Sequence, residues 1–148
     1  MLNLLNLKRG IEVGVQRGRF AMRTLSEWKS CETYKLVDLW GVDPNYKEPG
    51  RDSNAVKNQH MQAAKDILKK WTDKGITEFF PMRSDNAVKF FPNNYFDFVY
   101  IDARHDYCAV LEDIRLYYEK LRPGGIIAGH DFVDAQYALE RLGPVSKS

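Results

Sequence analysis

GIEVGVQRGRF, residues 10–20, carries the sharpest change of period in the chain. Gly10 to Val15 is a β-rich run closing on a glycine turn, and from Arg19 to Trp28 the residues Phe20, Met22, Leu25 and Trp28 recur at helical spacing. The stretch therefore predicts strand, tight turn and helix. The alternation repeats downstream. Tyr34 to Asp38 predicts a second strand and Gly41 to Ser53, with its prolines and glycines, a long surface loop. Asn54 to Lys74 keeps a helical period through Val56, Met61, Ala64, Ile67, Leu68 and Trp71 and is stopped by Gly75. Ile76 to Met82 predicts a third strand, Asp85 to Phe91 a short helix and Phe96 to Ile101 a fourth strand. Val110 to Leu121 predicts a helix broken by Arg122-Pro123-Gly124-Gly125, and Ile126 to Gly129 a fifth strand.

Strands this apolar, alternating with helices, imply an α/β fold with a mainly parallel sheet covered on both faces. At 148 residues, 44% hydrophobic and 28% charged, the sequence suits one domain spanning residues 1–148, with 133–148 as a partial C-terminal helix and tail. A formal charge of +2 gives no electrostatic reason to expect nucleic acid or an anionic membrane as partner. Cys31 and Cys108 match neither a zinc spacing nor a disulfide framework and read as reduced thiols. The first nine residues do not read as a signal peptide and no stretch reads as a membrane span, which makes the cytoplasm the default expectation.

Ligands of such sheets bind at the C-terminal ends of the strands. The unusual polar residues fall there: Glu12 with Gly14 and Gly18, Asp38, Arg83-Ser84-Asp85, Asp102, His105 and His130-Asp131. Position 16 is Gln where a G-x-G-x-x-G pyrophosphate turn has glycine, so a dinucleotide is disfavoured. An acid two residues before Gly14 suits a ligand carrying an ammonium group, although the turn can equally be a purely structural one. Asp38 can accept hydrogen bonds from ribose hydroxyls or simply cap its loop. Ser84 falls near the base of such a nucleoside, or it or Asp85 caps the short helix that follows.

Tyr100-Ile-Asp102-Ala-Arg-His105 and Gly129-His130-Asp131 would meet at the ends of adjacent strands. Asp102, His130 and Asp131 are then a candidate divalent-cation site, with Mg²⁺ favoured over zinc by the oxygen donors. Such an ion lowers the pKa of a substrate hydroxyl, and His105 is the candidate general base. The competing reading is a capping aspartate and a histidine filling a surface pocket.

In order, EVGVQRG, VDLW, DFVYIDARHDY and LRPGGIIAGHDF resemble class I S-adenosylmethionine-dependent methyltransferases, over about residues 10–132. YIDARHDY with GGIIAGHD is similar to the branch that includes macrocin-type sugar O-methyltransferases, often Mg²⁺-dependent. The resemblance implies a Rossmann-like three-layer α/β/α sandwich. It places Glu12, Gly14 and Gly18 around the methionine portion of the cofactor, Asp38 on its ribose, Ser84 near its adenine, and Asp102 beside cofactor and metal alike. Asp102 and Asp131 match the family's metal aspartates. Arg104 stands where some relatives carry an acidic base, and His105 inherits that role by default.

Class I enzymes continue beyond the fifth strand through two more, so the chain is expected to lack the last two strands of the fold. An exposed sheet edge would then favour a homo-oligomer. The expected function is methyl transfer to an oxygen of a small molecule. The alternative is a truncated, inactive fold serving as a nucleoside-binding or protein-interaction module, and a nicotinamide-dependent oxidoreductase is a distant third. Trp40 and Tyr46, beside or within the long loop, are candidates to touch the acceptor.

Overall fold

In the computed structural model, residues 1–41 and 53–130 are described. Five strands form one sheet: β1 (Arg9–Val13), β2 (Thr33–Asp38), β3 (Thr77–Pro81), β4 (Phe96–Ile101) and β5 (Leu121–Gly129). Their spatial order is β3-β2-β1-β4-β5, and every pairing is parallel. The helices are α1 (Arg19–Glu27), α2 (Asn54–Thr72), α3 (Ser84–Ala87), continued by a 3₁₀ turn at Val88–Phe90, and α4 (Tyr107–Tyr118). The expected Rossmann-like α/β fold is therefore present. Strand order reverses between β1 and β4, which makes their C-terminal ends the switch point where such sheets take ligands.

Alternation along the strands divides the core into two layers. Leu36, Tyr34, Phe98 and Tyr100 pack with Ala21 and Leu25 of α1 and Ala64 and Leu68 of α2, and all three tryptophans, Trp28, Trp40 and Trp71, belong to this layer. On the other face Ile11, Val13, Val37, Val99 and Ile101 pack with Ala87, Val88, Phe91 and Tyr117. Among the described residues no helix is long and apolar enough to cross a membrane. Cys31 is buried and Cys108 exposed, and neither is in a disulfide.

Two expected starting points move by three residues or more. Helix α4 begins at Tyr107, not Val110, because the Asp106 side chain accepts from the Ala109 amide at 2.9 Å and caps it. Strand β5 begins at Leu121, so Arg122-Pro123-Gly124-Gly125 is part of the strand and not merely a helix breaker. Pairing jumps from Phe96↔Leu121 to Phe98↔Ile126, leaving residues 122–125 as a bulge opposite Asp97.

That bulge has a fastening. Asp97, 3% exposed, accepts from the backbone amides of Lys8 at 2.7 Å and Arg9 at 2.8 Å, and from the Arg122 guanidinium. Burial alone would raise its pKa, but the Arg122 hydrogen bond, the two amides and the Arg122 charge outweigh that and hold the carboxyl below its ordinary value. A depressed folded pKa contributes stability that is present above the unfolded pKa and lost as pH falls through the folded one. Asp97→Ala is expected to cost roughly 2–4 kcal/mol at pH 7, measured by urea denaturation. The gap between variant and parent should shrink as pH is lowered below 4, and a gap independent of pH would contradict the account.

Candidate functional site

The turn after β1 is folded by a carboxylate of β2. Asp38 Oδ2 accepts from the amides of Val15 at 2.9 Å and Gln16 at 2.8 Å, while Oδ1 accepts from the Trp40 amide at 2.8 Å. Trp40, 4% exposed, donates its indole N–H to the Gln16 carbonyl at 2.7 Å, so its side chain braces the turn. Gln16 and Trp40 both take left-handed backbone, at φ 49° and 42°. A turn that offers successive N–H groups would ordinarily receive an external anion. Here two of those amides are already bonded to the protein's own carboxylate.

Gly14 is fixed by contact as well as by conformation. Its φ is +92°, and a Cβ there would lie 1.9 Å from the Asp102 carbonyl oxygen. Around it the ladder continues past the strands: Gly14 donates to the Val37 carbonyl at 2.8 Å, Asp102 to Val13 at 2.7 Å and His130 to Ile101 at 3.2 Å. The second glycine, Gly18, has φ +74° and opens α1; a Cβ on it would sit 3.1 Å from Ala64 Cα on α2. Its missing side chain thus serves the packing of α2 against the turn.

Glu12, 1% exposed, accepts from the Tyr34 hydroxyl at 2.9 Å. Burial pushes its carboxyl up to about 8; the Tyr34 hydrogen bond opposes this, and the charges of Asp102 and Asp38 add to it. Three carboxyl groups, from β1, β2 and the exit of β4, therefore bear on one small region at the C-terminal edge. The geometry favours a ligand with positive charge over one with a pyrophosphate.

The Ser84 hydroxyl donates to Asp113 at 2.6 Å, and its carbonyl accepts from Tyr117 at 3.0 Å. Neither Ser84 nor Asp85 caps α3: the N-cap is Arg83, without a side-chain bond, and Asp85 instead pairs with the Arg83 guanidinium at 3.2 Å. Arg104 turns toward α4, to Glu112 at 2.6 Å and Asp113 at 3.2 Å. Asp113 is fully buried, and burial raises its pKa against the Ser84 bond and the Arg104 charge. This Ser84–Asp113–Arg104 link joins the turn after β3 to the loop after β4. Sequence reading missed it, although Ala109, Asp113 and Tyr117, four residues apart, place an acid on the buried stripe of α4.

His105 is exposed in the loop leading into α4. His130 Nδ1 lies 4.0 Å from Asp102 Oδ1, so two of the three expected cation donors meet. The third, Asp131, lies outside the described residues, as does Tyr46. Among the described residues no three His, Cys, Asp or Glu side chains assemble a metal site.

The sequence pattern of the methyltransferase-domain family matches residues 11–132. An uncharacterized protein of Acanthamoeba polyphaga mimivirus is 30% identical over 137 residues, covering 90% of this chain and 57% of the relative, so the chain spans a little over half the length of that curated relative. In fold the chain is similar to a Staphylococcus aureus protein described as a caffeoyl-CoA O-methyltransferase, with TM-score 0.67, 16% identity, and 99% of this chain against 60% of that one. It is also similar to spermidine synthase from Thermotoga maritima, with TM-score 0.58, 20% identity, and 83% against 38% coverage. These two names differ in chemistry, and likenesses at such identities carry the fold alone. The family pattern, running from the middle of β1 to just past β5, carries more: this chain belongs to the methyltransferase-domain family.

Proposed function

We propose that the chain binds S-adenosylmethionine at the C-terminal edge of β1, β2 and β4 and passes its methyl group to an oxygen of a small molecule. The observation that carries this reading is the turn whose anion-binding amides are filled by Asp38 while Glu12 and Asp102 crowd the same edge. A nucleoside bearing sulfonium and ammonium charges suits that edge, and a dinucleotide pyrophosphate does not. This also argues against the nicotinamide-dependent alternative.

Glu12 would take the cationic methionine end, and the turn from Gly14 to Gly18 would let backbone approach it. Asp38 already accepts three N–H groups, and a carboxylate has about four acceptor positions, which leaves roughly one for a ribose hydroxyl. Ser84, held by Asp113, would lie on the adenine side. When bound, the sulfonium supplies a methyl carbon that the acceptor oxygen attacks in line, the C–S bond breaking with its electron pair left on sulfur. His105, exposed beside the edge, would take the acceptor's proton. Asp102 and His130 are the described members of the candidate Mg²⁺ set.

Calorimetric titration with S-adenosylhomocysteine tests the reading. A dissociation constant on the order of micromolar, weakened at least tenfold by Glu12→Gln, is the expected result, and no binding by a folded chain would overturn it. Binding without turnover on any oxygen acceptor would favour the binding-module alternative. Turnover, where found, is to be measured with and without EDTA. Loss on chelation with recovery on added Mg²⁺ would bring the cation, held by Asp102 and Asp131, into the mechanism.

A further inference from the structure

We propose that Tyr34 is a positioning residue of the ligand site, holding the Glu12 carboxyl so that a cationic ligand group takes the place of its proton. This rests on the binding reading above.

The device begins at Gly10, the register partner of Tyr34 in the β1–β2 ladder. A Cβ on Gly10 would lie 2.6 Å from the Tyr34 ring and 2.7 Å from that of Trp28. The absent side chain is thus the space the aromatic rings occupy. Trp28 meets Tyr34 edge to face, at 6.1 Å between centroids and 87° between planes, and is itself fixed by its indole N–H on the Leu7 carbonyl at 2.8 Å. Set over Gly10 in this way, the phenol reaches two residues along β1 and donates to Glu12 Oε2 at 2.9 Å. Tyr34 is fully buried and Glu12 nearly so.

Among the described residues, the titratable groups that bear on Glu12 are a phenol and two acids. Tyr34 comes from β2, Asp38 from the end of β2 and Asp102 from the exit of β4. Its register partners are Leu36 on β2 and Tyr100 on β4. The buried face of α1 offers Ala21 and Leu25, and that of α2 carries one titratable group, His60. Burial and the two aspartates raise Glu12 to about 8, so it holds a proton at neutral pH in the free protein. The phenol itself is pushed well above its ordinary range, first by burial and then by the Glu12 charge, and stays a neutral donor. When a cation arrives, the carboxyl O–H bond breaks and the proton leaves to solvent. The carboxylate pairs with the ligand, so the buried net charge does not change.

The test uses the full chain at pH 7, titrated calorimetrically with S-adenosylhomocysteine, which keeps the ammonium, in two buffers of different ionisation enthalpy. Release of close to one proton per ligand is expected, and none from Glu12→Gln. Tyr34→Phe keeps the ring and removes the hydroxyl; Glu12 should titrate about one unit higher, and binding at pH 7 should weaken roughly tenfold. Carbon-13 NMR of the Glu12 carboxyl in the ligand-free protein reads the same titration independently. A binding heat that does not depend on buffer, a Glu12 that titrates in the ordinary carboxylate range, or a titration unmoved by Tyr34→Phe would each overturn the proposal. If Glu12 titrates near 8 and responds to Tyr34→Phe while the ligand does not bind, the binding reading falls and the hold of Tyr34 on Glu12 stands.

Discussion

The described structure turns on Asp38 closing the loop of the strand beside it. Its carboxylate gathers the amides of Val15 and Gln16 at the exit of β1 and of Trp40 beyond β2. The turn is thereby forced into a left-handed excursion at Gln16 and pressed against the exit of β4, where only glycine fits beside the Asp102 carbonyl. Three neighbouring strand ends become one rigid ledge. Without that carboxylate the same amides would form an anion-seeking concavity, and the fold would read as a phosphate binder.

Chemistry follows from how charge is distributed around the ledge. Carboxyl groups in a poorly solvated region repel one another and resist ionisation, and the relief available is a proton or a cation. Glu12 sits at the buried end of this arrangement, and Asp38, at the end of the neighbouring strand, is engaged by backbone amides. The loop after β4 is steadied by Arg104 on Glu112 and Asp113.

Much of the architecture was legible in the sequence because the strands are continuously apolar and the helices switch period cleanly. Phe96–Ile101 needed no correction, since every residue in it is buried on a central strand. The beginnings of α4 and β5 were not legible, because Asp106 as a cap and Arg122 as part of a strand are recognised only once their partners, the Ala109 amide and Asp97, are known. In the candidate site, Gly14 and Asp38 stood out as residue types, but what each touches depends on the β1–β2 and β1–β4 registers, which a single sequence does not reveal. Tyr34 passed unnoticed for the same reason: it reads as an ordinary strand residue until the ladder sets it opposite Gly10.

The two core layers differ in one further respect. Trp28, Trp40 and Trp71 are the only tryptophans in the sequence, and all lie on the α1–α2 side of the sheet. Indole fluorescence therefore reports one half of the molecule, with Trp40 reporting the turn itself through its bond to Gln16. The layer beneath α3 and α4 is optically silent at those wavelengths. An unfolding transition followed by tryptophan emission will register loosening of the ledge and pass over any loosening confined to the opposite face, unless far-ultraviolet dichroism is recorded beside it.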